Sequence, residues 1–136
     1  MTMKMETRLL QLRWFNGVMG LLHLAQGVLM LALSSDFSLP ISASFLKFDP
    51  AASKLAPVPE TLVDLRIGPL VAAFLFLSAI AHLLVTSPGI YKWYARNLTK
   101  GINYARWIEY SFSASLMIVV IAMLVGIYDI ASLTLI

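Results

Sequence analysis

The 136-residue chain contains no cysteine. Disulfides, thiolate metal sites and cysteine nucleophiles are excluded, and the redox compartment is left undefined. Charge is scarce as well. Only 12% of residues are charged, and none lies between Trp14 and Leu33 or between Ile67 and Thr86. The chain is 60% hydrophobic, with a mean hydropathy of +0.83. A soluble domain of this length has too little interior to hide so much apolar surface. The net charge of +3 is therefore read segment by segment against a lipid bilayer, and no nucleic-acid partner is expected.

What is present is three long apolar runs, roughly Phe15–Leu33, Ile67–Val85 and Trp107–Tyr128. Each approaches the ~20 residues, at ~1.5 Å per residue, that a bilayer core requires. The expected class is an all-α membrane protein, with residues 1–136 forming one membrane domain. The first run is too long for the ~7–15-residue core of a signal peptide, and Asn16, His23 and Gln26 interrupt it. It is read as a retained helix.

Basic residues set the expected orientation. The N-terminal tail carries Lys4, Arg8 and Arg13 against Glu6. The second connection, residues 86–106, carries Lys92, Arg96, Lys100 and Arg106 and no acid. The first connection, residues 34–66, is mixed in charge. The positive-inside rule then places the N-terminus and second connection in the cytoplasm of a multi-pass cell-membrane protein. In the first connection Phe37, Leu39, Ile41, Ala43 and Phe45 alternate with Ser38, Pro40, Ser42 and Ser44. That period of two predicts a strand with one buried face. Asp49-Pro50 breaks it, and Leu55-Ala56-Pro57-Val58 offers a return strand. A small outer β-hairpin is expected, with an irregular proline-rich loop as the alternative. Residues 130–136 open a new apolar run, read as the start of a fourth helix in a longer chain.

Three ionisable groups interrupt the apolar runs: His23, His82 and Glu109. His23 lies ten residues from Arg13, His82 ten from Lys92, and Glu109 nine from Lys100. At ~1.5 Å per residue all three sit roughly 15 Å from a basic residue, hence at a similar depth. On the first run Asn16, Gly20, His23 and Gly27 share a stripe. On the second, Leu75, Ser78 and His82 do, and on the third Glu109, Ser113, Leu116 and Met117. Polar stripes of membrane helices turn towards each other, because an unpaired polar group costs free energy in lipid. Two readings stand at this point. The three groups could form a wet, proton-holding pocket beside a charged ligand. Alternatively Glu109 pairs with Arg106 at i, i−3, the histidines are satisfied packing residues, and Gly17, Gly20 and Gly27 only allow close helix approach.

The stretches RWFNGVMGLLHLAQGVLMLALSSDFSLPI, AIAHLLV and NYARWIEYSFSASLMIVVIAMLVGIYDI resemble the first, second and third helices of the heliorhodopsins. The likeness covers nearly the whole chain. It implies a seven-helix retinal photoreceptor with a cytoplasmic N-terminus, sensory or regulatory in role, with no enzymatic activity and generally no ion pumping. The cofactor it implies is all-trans retinal. Glu109 matches the Schiff-base counterion, and His23 and His82 the two histidines of a water-containing cavity. Tyr110, Ser113 and Met117 fall in the segment that lines the retinal pocket. The resemblance further implies a homodimer to which the first outer loop contributes, and completion of the bundle by helices D–G.

The sequence departs from that pattern at one point. Its lysines are Lys4, Lys47, Lys54, Lys92 and Lys100, and none lies in an apolar run. The chain thus offers the counterion without the amine that attaches retinal. Two further classes remain open from the residues alone: a small redox subunit with haem held by His23 and His82, and half of a proton-coupled transporter using the His–Glu cluster as a relay.

Overall fold

The breaks between helices fall where backbone chemistry requires them. In the computed structural model, which describes residues 2–136 with side chains from residue 5 onward, α1 (Thr2–Leu33) leads into a hairpin of β1 (Ser38–Asp49) and β2 (Lys54–Arg66). Then follow α2 (Ile67–Thr86), α3 (Pro88–Leu98), α4 (Tyr104–Leu124) and α5 (Ile130–Leu135). Three helices are long and apolar enough to cross a membrane: Met5–Leu33, Ile67–Thr86 and Tyr104–Leu124. Much of their apolar surface is open; Leu21, Leu29 and Phe112 are among the large side chains left exposed. Lipid is the solvent that tolerates such a surface.

α1 begins well ahead of the expected span. Residues 2–16 contain neither glycine nor proline, so nothing stops the helix from propagating through the polar tail. The chain leaves α2 at Ser87, whose backbone is extended (φ −64°, ψ 147°). Pro88 forces that conformation on the residue before it and then starts α3 at its first position. The expected second connection thus contains a helix of its own. α4 ends earlier than hydropathy predicts, at Leu124 rather than Tyr128. Gly126 adopts φ +95°; its N–H bonds Met123 O at 3.1 Å, and the N–H of Ile127 bonds Ala122 O at 2.9 Å. This paired closure needs a left-handed residue, which glycine supplies without strain. Asp129 then caps α5 by accepting from the N–H of Ser132.

The hairpin is antiparallel, from Ser38 opposite Arg66 to Asp49 opposite Lys54, with a register slip between Ile41 and Ser42. At its tip Asp49 Oδ1 accepts from the N–H groups of Ala51 and Ala52. Leu39, Ile41 and Leu65 rest on a core of Ile67, Val120, Ala122, Met123 and Leu133. The expected buried face is therefore confined to the hairpin base. Phe37 and Phe45, expected on that face, are 54% and 46% exposed. The slip re-aims the strands beyond Ile41, and the distal residues Phe45, Leu46 and Phe48 are exposed. The backbone N–H of Ser42, at the slip, donates to Tyr128 O at 2.8 Å and ties the hairpin to the turn between α4 and α5.

Candidate functional site: a polar cavity among three membrane helices

Glycines bring α1 against α2. A Cβ placed at Gly20 would lie 2.8 Å from Leu83 Cγ, and one at Gly27 would lie 2.6 Å from Phe76 Cε1. Only glycine allows this approach. As a result His23 on α1 and His82 on α2 stack, with ring centroids 5.5 Å apart and planes 22° from parallel.

Each ring is held by an amide. His23 Nδ1 lies 3.1 Å from Gln26 Oε1. His82 Nδ1 lies 2.9 Å from Asn16 Oδ1. Asn16, only 6% exposed, donates its own NH2 to Leu12 O at 2.9 Å. Its oxygen is thus left to accept, so Nδ1 of His82 carries the hydrogen. In the neutral ring Nε2 is then the free acceptor.

α4 supplies the acid. Ser78 Oγ on α2 donates to Glu109 Oε1 at 2.9 Å. The expected alternative partner, Arg106, does not pair with it. Among the described residues the ion pairs are Lys47–Glu60 and Asp36–Arg66, both on the hairpin or beside it. Arg106 instead joins Asn16, His82, Tyr94, Asn103 and Glu109 around a cavity of about 130 Å³. The cavity is polar-lined and roomy enough for ordered water.

Of the three groups expected at one depth, His82 and Glu109 line this cavity; His23 lies outside its lining and joins it only through its stack on His82. Ser113 is buried, at 2% exposure, one turn beyond Glu109, and Met117 is half-buried one turn further. Tyr110 is on another side of α4. It is 60% exposed and borders a shallow opening with Arg106, Trp107 and Ser111. Asn16 and Ser78 were legible as members of polar stripes, but their roles as direct partners of His82 and Glu109 were not. No group of three or more His, Asp or Glu side chains able to hold a metal occurs among the described residues. The stacked histidines also argue against haem. Two axial ligands must aim their nitrogens at one iron from opposite sides, whereas stacked rings present theirs side by side.

Three apolar helices, an antiparallel hairpin and a carboxylate-bearing cavity define a helical membrane protein of rhodopsin-like build. The heliorhodopsin family model matches residues 12–136, and the chain belongs to that family, one of rhodopsin-like photoreceptors. No match is found among curated proteins.

Proposed function

We propose that these helices form the counterion-bearing part of a retinal-binding light sensor. The observation that carries this reading is Glu109: a carboxylate on an apolar helix, hydrogen-bonded by Ser78, open to a polar cavity and paired with no cation among the described residues. A carboxylate so placed is suited to balance a buried positive charge. When bound, retinal would supply that cation and the light-driven isomerisation. The residues present fit this group on the counterion side. The attaching amine must come from outside the three spans, since every lysine lies outside them. The remaining helices of the bundle are its natural source.

The chain's own groups would then act as follows. Glu109 holds the cation by Coulomb attraction, and Ser78 fixes the carboxylate. His82, held by Asn16, and His23, held by Gln26, offer places for a proton near the cavity. A sensory rather than pumping role is supported by the scarcity of carboxylates: Glu109 is the only one in residues 107–124, and residues 14–33 and 67–86 hold none. Asp129 lies past the end of α4, capping α5. A cytoplasmic N-terminus is supported by the basic tail and second connection. A homodimer is supported by the exposed apolar residues of the distal hairpin, Phe45, Leu46 and Phe48.

The test is Glu109→Gln in the pigment assembled with all-trans retinal and the lysine-bearing helices. Losing the compensating charge destabilises the dark cation more than its excited state, so absorption should move to the red. An unchanged spectrum removes Glu109 from the counterion role.

A further inference from the structure

The polar cavity lies on one side of the α2–α4 pair, and an apolar groove of about 210 Å³ lies on another, bordered by Ile80, Leu84, Ile90, Trp93, Ile108 and Phe112. α1 does not account for this face. Among the α2 residues that meet α1 are Phe76, His82, Leu83 and Thr86. At about 100° per residue, Leu84 and Leu77 point about 135° and 155° from the mean direction of these four, and Ile80 about 95°. Ile80 and Leu84 are 54% and 48% exposed, and Ile108 and Phe112 more so.

α3 forms one wall of the groove and is amphipathic. Tyr94 is buried at 8% exposure, while Ile90 and Trp93 border the groove. Lys92 and Arg96 are exposed and, by the same helical spacing, project from the side opposite Tyr94. Neither forms an ion pair among the described residues, and residues 86–106 contain no acid. Aromatic rings continue from this wall on to α4. Trp93 stacks on Tyr104 with centroids 6.3 Å apart, and Tyr104 meets Trp107 edge-on at 5.4 Å. A basic face, an apolar face and a tryptophan–tyrosine row are what a helix lying in a membrane interface requires.

From this juxtaposition we propose that the α2–α3–α4 groove is a binding site for an anionic phospholipid of the surrounding bilayer. One acyl chain lies along Ile80, Leu84, Ile108 and Phe112, and the headgroup meets Lys92 and Arg96. The groove opens from apolar membrane helices, so its occupant must be apolar along its length. The unbalanced Lys92 and Arg96 lie outside the groove's lining, on the outward face of α3, and favour a negative head at its rim. The groove shares Ala81, Val85, Ala105 and Glu109 with the polar cavity, so the test reads Trp93 and leaves Glu109 unaltered.

The experiment uses Trp93 as the reporter. The protein is reconstituted into phosphatidylcholine vesicles holding a small share of brominated-chain phosphatidylglycerol, or the same share of brominated phosphatidylcholine. The Trp93 signal is the difference between the wild type and Trp93→Phe. Brominated phosphatidylglycerol should quench it several-fold more strongly. The Lys92→Gln/Arg96→Gln variant, altered only at exposed positions, should lose about fivefold in preference for each charge removed. Lys47→Gln/Lys54→Gln on the hairpin should keep the full preference. Equal quenching by the two lipids overturns the proposal. So does a preference that survives Lys92→Gln/Arg96→Gln, or one that is lost equally in the hairpin variant.

Discussion

Ser78 and Glu109 are joined by one hydrogen bond across α2 and α4, hydroxyl to carboxylate at 2.9 Å. The serine withdraws negative charge from the oxygen it touches. Ser78→Ala should therefore concentrate charge on the carboxylate and move the pigment's absorption to the blue, opposite to Glu109→Gln. Ser78→Thr keeps the donor and should leave the colour near that of the wild type. The lost bond should also cost about 1.5–3 kcal/mol if the carboxylate is charged, read as a lower midpoint on unfolding in detergent. A red shift for Ser78→Ala would refute the charge argument.

Gly27 and Gly17 lie on the same helix but should respond oppositely to alanine. A Cβ at Gly27 would be 2.6–3.0 Å from three atoms of the Phe76 ring, whereas one at Gly17 meets only Thr86 Cγ2 at 4.0 Å. Gly27→Ala must push the ring or part the helices, and overpacking of this kind costs about 1–3 kcal/mol. Gly17→Ala has room and gains helix propensity of up to about 1 kcal/mol. Thermal unfolding should separate the two. Phe76→Leu should recover part of the Gly27→Ala loss; if it recovers none, the clash is not the cause.

The same contrast shows what the sequence made legible. Stripes of Asn16, Gly20, His23 and Gly27 could be read at helical spacing, because lipid penalises any polar group that faces it. Depth followed from counting back to basic residues. The hairpin was readable from alternation and the Asp49-Pro50 break. What escaped depends on choices between near-equal local partners. Arg106 is in reach of Glu109 at helical spacing, yet Ser78 from another helix makes the contact. α3 escaped because its basic residues read as a solvated connection, although Ser87-Pro88 marks a helix start. The end of α4 escaped because hydropathy continues past Gly126, where backbone closure decides the boundary.

Arg13 links three helices. Its Nε donates to Thr86 O at 2.9 Å, and its guanidinium lies 4.6 Å from the centre of the Tyr91 ring on α3. A planar guanidinium can do both at once, and a lysine ammonium cannot reproduce that fork. Arg13→Lys should therefore keep the charge but loosen α3. The expected reading is faster amide exchange in residues 88–98, with the rest of α2 nearly unchanged. Equal protection of α3 in both proteins would show that the charge alone suffices.

Ser42 holds the hairpin to the α4–α5 turn through its backbone, not its hydroxyl: the N–H donates to Tyr128 O at 2.8 Å. Side-chain and backbone changes should therefore part company. Ser42→Ala leaves the donor and should be close to neutral. Ser42→Pro deletes it and leaves Tyr128 O without this donor, beside a core that includes Met123 and Leu133, at a cost of about 1–3 kcal/mol. Loss of the tie should show as raised amide exchange in α5 and in Leu39–Ile41, the strand residues that rest on that core. The distal hairpin should be unaffected, since Phe45 and Phe48 are already exposed. If Ser42→Ala proves as damaging as Ser42→Pro, the hydroxyl and not the backbone bridge is what fastens the hairpin to the membrane helices.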